Sequence, residues 1–475
     1  MAETLKHKAV NGVFWRIFEQ GGRQMIQFVI SVVLARLIAP DQFGMVAMLS
    51  VFFAVSYCFI DGGLGDALFR KKDRTQTDCS TVFWFSLVVS IICYCIIFLC
   101  APFVSDFYEM QELTPILRVT TLTIIIGTFG SIHSMLLRLD MDFRTLAKYN
   151  IAGLVISGIV GIILAYLDFK VWALVFQNIT MVVITTSCVI AKVKWHPSFT
   201  FSKTSFKEFF AFGVKLIASR LLDQLYSNIY SITIGKVYKA SDLAFYNRAR
   251  SLTNLTSSTP TSVLLSVTYP LFVNIHDDDV MLKDAYRRVI KLCAFIVFPL
   301  CLGVGAVAFP LINTLYTDVW IYAATLLSIV VFSAMWYPIH AINLNYLIVK
   351  GYSNLFLRLE IIKKIQGVTI LCITIPMGLE AMCYGSIVGS YLSLIWNTYY
   401  TGKFLKMSIF AQLKDMAPTL MLSGVMFVCA RFTANYMGNG LTSLICSVGV
   451  GSIIYIGGAL LFKLPEIKEL KNLKR

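Results

Sequence analysis

Charged residues are scarce in this sequence: they make up 14% of its 475 residues, whereas hydrophobic residues make up 57%. About a quarter of the residues in a soluble domain are usually charged, so this composition excludes an ordinary water-soluble protein. The 12 cysteines are scattered, and Cys93 with Cys95 is the one close pair, so metal-ligand spacing is missing. We therefore expect no metal, no cofactor and buried, reduced cysteines.

The sequence also lacks the motifs of soluble catalysis, namely a Gly-rich phosphate loop, a nucleophile elbow and paired carboxylates on a loop. The segment after Val10 carries Arg16, Glu19 and Arg23, which interrupt the apolar run that a secretory signal peptide needs, so no such peptide is expected. The longest connection between apolar runs extends from Lys192 to Lys207. This length is too short for a folded catalytic domain, and we predict that the chain is not an enzyme.

Long apolar runs are what the sequence does contain. A membrane-spanning helix needs roughly 20 mostly apolar residues, and about fourteen such windows are present. We therefore predict an all-α membrane protein with about 14 transmembrane helices. The windows lie near residues 12–35, 43–60, 80–102, 114–137, 149–167, 171–191, 208–234, 251–273, 289–310, 320–348, 359–377, 380–402, 415–434 and 441–462.

Lys and Arg residues follow a strong bias between the two sides of this arrangement. With the N-terminus inside, 27 of them lie in the two tails and the even-numbered connections, whereas the odd-numbered connections hold Lys170, Lys236 and Lys239. Because basic connections remain cytoplasmic, we predict that both termini are cytoplasmic. Contacts with anionic lipid headgroups account for the net charge of +15, so we expect membrane lipids as partners and no nucleic acid.

Two windows carry polar stripes. In the first, Arg16 to Gln27 places its charged and amide side chains on one helical face; in the seventh, Arg220, Asp223 and Gln224 share a face with Ser227. A charge that faces lipid costs about 2.5–3.5 kcal/mol on the insertion scale. The stripes therefore indicate either the wall of an aqueous cavity or an internal ion-pair network that only holds helices together.

The window that follows Arg248 is rich in hydroxyl groups from Thr253 to Ser262 and includes Asn254 and Pro260. Its side chains either hydrogen-bond a passing sugar or simply pack between helices. Single polar residues elsewhere are further candidates, although a buried and satisfied polar group is the simpler interpretation of each. They are His133, His340, Arg118, Asn343 and Asn345.

Similar polar stripes in the first and seventh windows are a weak sign of internal duplication, which is common in transporters. We predict an N-lobe of six helices over residues 1–200 and a C-lobe of six helices over residues 201–408, around a central cavity. Two extra helices and a cytoplasmic tail would occupy residues 409–475.

Several short motifs occur in order along residues 10 to 330. They are Leu34–Gly44 (LARLIAPDQFG), Asp61–Leu68 (DGGLGDAL), Tyr246–Ala249 (YNRA), Val267–Pro270 (VTYP) and Trp320 with Ala323 and Ala324. In this order the sequence resembles the Wzx-like polysaccharide and O-antigen flippases (PST family) of the multidrug/oligosaccharidyl-lipid/polysaccharide (MOP) exporter superfamily.

The resemblance implies an alternating-access flippase. It would move an undecaprenyl-diphosphate-linked oligosaccharide from the cytoplasmic to the periplasmic leaflet of a bacterial inner membrane, for surface polysaccharide (lipopolysaccharide, capsule or exopolysaccharide) biosynthesis. Polysaccharide polymerase and glycosyltransferases would be further partners. The implied cationic cavity assigns the diphosphate to five residues: Arg16, Arg23, Lys215, Arg220 and Arg248. Polar or coupling candidates are Glu19, Gln20, Gln24, Gln27, Asp223, Gln224, Asn254 and Glu360.

Other functions remain open on the sequence. A peptidoglycan-precursor flippase shares most of this physics and differs in substrate. A cation-coupled multidrug exporter of the same superfamily would favour an acidic and aromatic cavity, whereas the charges here are mostly basic. A membrane glycosyltransferase or polymerase is disfavoured by the short outside connections, and a structural scaffold has no use for two polar stripes.

Overall fold

A computed structural model describes residues 21–467 and residue 469, without the side chains of residues 212, 215, 216 and 267. The described residues form helices with short connections and contain no strand, which confirms the all-α membrane class. The structure divides into two compact units, Met1–Ala244 and Phe245–Arg475. The lobes predicted at residues 1–200, 201–408 and 409–475 stay a prediction.

The helices of the first unit run in sequence with few intervening residues. They are α1 (residues 21–37), α2 (Pro40–Asp61), α3 (Leu64–Arg70), α4 (Gln76–Tyr108), α5 (Leu113–Thr120), α6 (Leu122–Phe129), α7 (Ser131–Leu139), α8 (Phe143–Tyr166), α9 (Val171–Lys192), α10 (Lys203–Val237) and the first turn of α11 (Ala240–Thr256).

The second unit continues with the rest of α11. Its further helices are α12 (Ser258–Asn274), α13 (Asp279–Ala306), α14 (Ala308–Leu315), α15 (Ile321–Ala334), α16 (Tyr337–Val349), α17 (Ser353–Thr374), α18 (Leu379–Leu405), α19 (Ile409–Met437) and α20 (Leu441–Leu461), with short 3₁₀ turns at Asp318–Trp320 and Ile375–Met377.

Each predicted window falls on a helix or on consecutive helices, the first of them from residue 21 onward. Among the described residues, eight helical segments are long and apolar enough to cross a membrane, or nine if the pair bent by 43° between Leu113–Phe129 and Ser131–Leu139 is counted. Helices such as α17, which carries Arg358, Glu360, Lys363 and Lys364, are more polar. The total of fourteen spans therefore stays a prediction.

Side-chain caps fix where several helices begin. The Thr75 hydroxyl accepts from the Asp78 backbone N–H at 3.2 Å, and the Asp78 carboxylate accepts in return from the Thr75 N–H at 2.9 Å, which forms a capping box before α4. Asp142, Ser202 and Asp278 cap α8, α10 and α13. These polar residues keep the connections short and place each helix start at a defined position.

Small residues control the packing of the first unit. A methyl group at Gly158 would clash with the side chain of Ile30, and one at Gly153 would lie 2.5 Å from the Thr185 methyl carbon, so α8 packs closely on both α1 and α9. Close backbone approach through glycine is a common packing mode between membrane helices. Leu34 of α1 and Leu174 of α9 belong to the same buried cluster.

A buried, uncharged hydrogen-bond network lies in the core of the second unit. The Tyr286 hydroxyl donates to Asn343 Oδ1 at 2.7 Å, the Thr401 hydroxyl donates to the same oxygen, and Asn343 Nδ2 donates to the Ile339 carbonyl at 2.7 Å. Tyr286, Asn343 and Thr401 are at most 1% exposed. Asn343 is therefore a buried and satisfied polar group, as the simpler interpretation predicts.

Both histidines singled out from the sequence also have hydrogen-bond partners. The His133 ring nitrogens lie 3.1 Å from the carbonyl oxygens of Phe129 and Trp195. His340 contacts the Ser390 hydroxyl at 3.2 Å and the Asn397 amide at 3.1 Å. Since protein groups satisfy both rings, they are part of the helix packing.

Candidate substrate site

The polar side chains of α1 lie near its described start, about two turns before its core contacts. Arg23 and Gln27 are exposed, and Gln24 is half-buried, whereas Ile30 and Leu34 are buried in the first unit. Arg23 and Ile30 are seven residues apart and share a helical face, as do Gln27 and Leu34, so the exposed and buried residues differ in their position along the helix and not in the face that they occupy. The described part of the stripe therefore stays accessible on the surface of the helix.

Some predicted site residues cannot be placed. Arg16, Glu19 and Gln20 lie outside the described residues. Lys215 lies on α10, but its side chain is also outside them. Their predicted roles stay predictions.

Arg220 of α10 forms ion pairs with two carboxylates. Its Nη1 donates to Asp61 Oδ2 at the end of α2, and its Nη2 donates to Asp66 Oδ2 in the first turn of α3. The side chains of Arg220, Asp61 and Asp66 are 38%, 46% and 48% exposed. Because charged groups are costly against lipid, the exposed parts of this cluster must face water. The cluster is therefore paired but hydrated.

The turn between α2 and α3 brings the two carboxylates together. Gly62 and Gly63 have φ angles of +54° and +65°, a left-handed conformation that glycine adopts without steric cost. This turn ends α2 directly after Asp61 and begins α3 at Leu64. Asp66 consequently comes close enough to Asp61 for one guanidinium to bind both.

A backbone contact between glycines lies next to the ion pairs. A methyl group at Gly63 would lie 2.6 Å from the Cα of Gly213, and one at Gly213 would overlap with the Gly62 carbonyl oxygen. Gly213 and Arg220 are seven residues apart on α10, which is two helical turns and hence the same face. The α2–α3 turn thus holds α10 at two successive points.

The far end of α10 carries another ion pair. Lys236 Nζ lies 2.8 Å from Glu109 Oε1, at the connection that follows α4, and the Glu109 side chain is 81% exposed. The hydrogen bond and charge of Lys236 hold the pKa of Glu109 below its usual value. Between the two pairs, Asp223 is exposed and Gln224 is half-buried.

An apolar cavity of about 570 Å³ lies between α2, α4 and α10. Phe52 and Phe59 of α2, Ile96 and Phe103 of α4 and Leu225 of α10 are among its lining residues. Leu225 follows Arg220 on α10 by five residues, which is about 8 Å along the helix axis and about 140° around it. The apolar and charged surfaces of the first unit thus lie on different faces of the same helix.

The candidates of the second unit have different surroundings. The Arg248 guanidinium lies over the rings of Tyr316 and Trp320, with its Cζ 4.9 and 5.0 Å from the two ring centroids. Asn254 is exposed. Glu360 is paired with Lys363 on its own helix. The structure brings Arg220 together with carboxylates of the first unit and places Arg248 against aromatic rings of the second.

Sequence reasoning missed Asp61, Asp66 and Gly213 as members of the site. The two aspartates were noted only as part of the Asp61–Leu68 motif. A usable signal was present: two carboxylates flank a Gly-Gly pair, and a basic run from Arg70 to Arg74 follows. Such a pattern indicates a tight turn that presents acidic groups, but it does not name the cation they bind.

Comparison with known proteins identifies the family. The sequence model described as "Polysaccharide biosynthesis protein" matches residues 33–325, which is more than half of the chain. The chain belongs to this family. The succinoglycan biosynthesis transport protein ExoT of Rhizobium meliloti (strain 1021) is 23% identical over 100% of this chain and 97% of its own. The predicted resemblance to proteins of polysaccharide biosynthesis is thereby confirmed.

Solved transporters share the fold of this family member. Lipid II flippase MurJ, in an inward closed conformation, aligns with a TM-score of 0.75 at 13% identity, over 96% of this chain and 99% of MurJ. A multidrug resistance MATE transporter of the MOP superfamily, in an inward-facing conformation, aligns with a TM-score of 0.64 at 16% identity, over 82% and 99%. At these identities the likeness shows a common fold, that of a multi-pass membrane protein.

Proposed function

We propose that this polysaccharide biosynthesis protein is a flippase for an undecaprenyl-diphosphate-linked oligosaccharide. The observation that carries the proposal is Arg220, a partly hydrated guanidinium on a helix of a chain whose family match covers residues 33–325. An apolar lipid substrate with an anionic diphosphate needs both a cation and apolar surface. The first unit offers both, since Arg220 and Leu225 of the apolar cavity are five residues apart on α10.

The diphosphate carries about two negative charges, which a guanidinium binds with two parallel hydrogen bonds. Arg220 donates from its two Nη atoms to two separate carboxylates, one hydrogen bond to Asp61 and one to Asp66. The geometry that holds two carboxylate oxygens also suits two phosphate oxygens. Arg23, exposed on α1, is a second candidate for the same head group, and Arg16, Lys215 and Arg248 remain further candidates.

Export of a negatively charged head is favoured by a membrane potential that is negative inside. One elementary charge moved through 100 mV is worth about 2.3 kcal/mol, so a doubly charged head releases roughly 4–5 kcal/mol. The potential would favour the outward step by this amount. Opposing cation movement through Glu19, Asp223 or Glu360 would add to it.

The remaining parts of the proposal concern placement. The protein acts in a bacterial inner membrane with both termini in the cytoplasm, as the distribution of Lys and Arg favours. It moves its substrate from the cytoplasmic to the periplasmic leaflet by alternating access and performs no covalent chemistry. In the predicted lobes α10 opens the C-lobe, so its contacts with α2 and α3 join the two predicted lobes.

A peptidoglycan-precursor lipid flippase is the second candidate. The fold likeness to Lipid II flippase MurJ, which extends over 96% of this chain, favours it. The family match and the relationship to a succinoglycan transport protein favour an oligosaccharide of a surface polysaccharide instead. Export of cationic drugs is less favoured, because the family match is to polysaccharide biosynthesis.

Flipping by purified protein in liposomes tests the proposal. Fluorescent undecaprenyl-diphosphate-oligosaccharide is added to the outside of proteoliposomes, and its transfer to the inner leaflet is read by gain of protection from a membrane-impermeant quencher. Wild-type protein is expected to transfer the probe, and Arg23→Ala or Arg220→Ala to slow transfer at least about ten-fold, the effect of losing roughly 1.4 kcal/mol of head-group binding.

Exposed Lys148 at the start of α8 supplies the matched control, because Lys148→Ala removes a positive charge outside the site. Transfer by wild-type protein at the rate of protein-free liposomes would reject the flippase proposal. Selective transfer of a fluorescent peptidoglycan precursor would favour the second candidate.

A further inference from the structure

The cluster around Arg220 has an excess of negative charge. Two carboxylates, Asp61 and Asp66, face one guanidinium, so the three side chains together carry one net negative charge. An approaching diphosphate would meet repulsion from this cluster, although Arg220 alone would attract it. The cation of the proposed substrate site is therefore already occupied by groups of the protein itself.

We propose that Asp61 and Asp66 are positioning residues that compete with the anionic head of the substrate for Arg220. This inference rests on the proposed function, because it requires that the substrate carries a diphosphate or a similar anion. The carboxylates hold Arg220 against the α2–α3 turn until a head with stronger charge displaces them. Substrate binding and release of α10 from this turn are then one event.

The described contacts meet both requirements of such a competitor. The carboxylates must be held in place, and the left-handed Gly62-Gly63 turn with its backbone contact at Gly213 fixes them against α10. The ion pairs must also be weak enough to exchange. All three side chains are more than a third exposed, and ion pairs with this exposure contribute little because water screens them.

Binding of undecaprenyl diphosphate to purified protein in detergent tests the competition. Asp61→Asn with Asp66→Asn removes both competitors and keeps side-chain size. We expect its dissociation constant to fall roughly three- to thirty-fold, the combined worth of two exposed ion pairs. Adding Arg220→Gln to this variant is expected to abolish the gain. Neutral undecaprenol should bind all variants equally, since it presents the chain without the charge.

Asp73→Asn is the matched control, because Asp73 is an exposed carboxylate in the nearby connection between α3 and α4. Single Asp61→Asn and Asp66→Asn variants, each with part of the gain, replace the double variant if it does not fold. Unchanged affinity in folded variants, with wild-type protein still binding and flipping its substrate, would overturn the competition alone. No binding of undecaprenyl diphosphate by any variant would overturn the proposed function and the competition with it.

Discussion

The polar contacts that join helices within each unit differ between the two units of this protein. In the first unit, helices α2, α3 and α10 meet through three charged side chains that keep 38% to 48% of their surface exposed. In the second, Tyr286, Asn343 and Thr401 join helices α13, α16 and α18 through uncharged hydrogen bonds with at most 1% exposure.

This difference indicates which of the two contacts can break and form again during a conformational change. A buried neutral network loses the free energy of its hydrogen bonds when it opens, because no water is present to replace the lost partners. A hydrated ion pair exchanges its partners for water or another ion at little cost. On this comparison the first unit holds the exchangeable contact and the second holds a permanent one.

The largest effect is expected from breaking the neutral network. Asn343→Ala removes the acceptor of the Tyr286 hydroxyl and leaves a cavity, so the free energy of unfolding should fall by about 2–4 kcal/mol. Denaturant unfolding in detergent micelles measures this change. Asn345→Ala, a half-buried amide on the same helix, should stay within about 0.5 kcal/mol of wild type. Equal losses of unfolding free energy in both variants would show that the network contributes no more to stability than a half-buried amide does.

An intermediate effect is expected at the glycine contact. Ala at Gly213 would overlap with the Gly62 carbonyl oxygen, so Gly213→Ala should destabilise the protein by about 1–3 kcal/mol. Gly424 in α19 has no atom within 4 Å of the same added methyl group. Gly424→Ala should therefore stabilise the protein by up to about 1 kcal/mol, the ordinary gain for glycine in a helix. If the melting temperatures of both variants shift in the same direction, the close contact at Gly213 is contradicted.

The smallest effect on stability is expected at the ion pairs. Asp61→Asn should lower the free energy of unfolding by less than about 1 kcal/mol, because the pair is partly hydrated. The same unfolding experiment in detergent measures it, at low and at high salt. A loss of unfolding free energy above 2 kcal/mol would show that this ion pair contributes as much to stability as the buried network. The two units would then not differ in this respect.

Apolar periodicity predicted the helices well because membrane spans need long runs, and α2 over Pro40–Asp61 lies close to the predicted window 43–60. The stripe on α10 was also visible, since Arg220 and Asp223 recur at helical spacing. Its partners were not, because Asp61 and Asp66 lie some 150 residues earlier and pairing over such distances leaves no local pattern.

Arg248 shows the same limit. Its position before the hydroxyl-rich window made it a candidate for the substrate site, whereas the rings that it contacts, those of Tyr316 and Trp320, come from a distant connection. The sequence thus shows which side chains are chemically unusual, but it does not show which residues each of them contacts. The count of spans is hard for a related reason, since a helix polar enough to line water no longer has the composition of a span.

Helix α10 has 35 residues and is about 52 Å long, and Gly213 clamps it ten residues from its start. The Lys236–Glu109 ion pair lies 23 residues further along the helix, about 34 Å away. A change in the tilt of α10 relative to α2 and α4 would therefore have to break one of these two contacts.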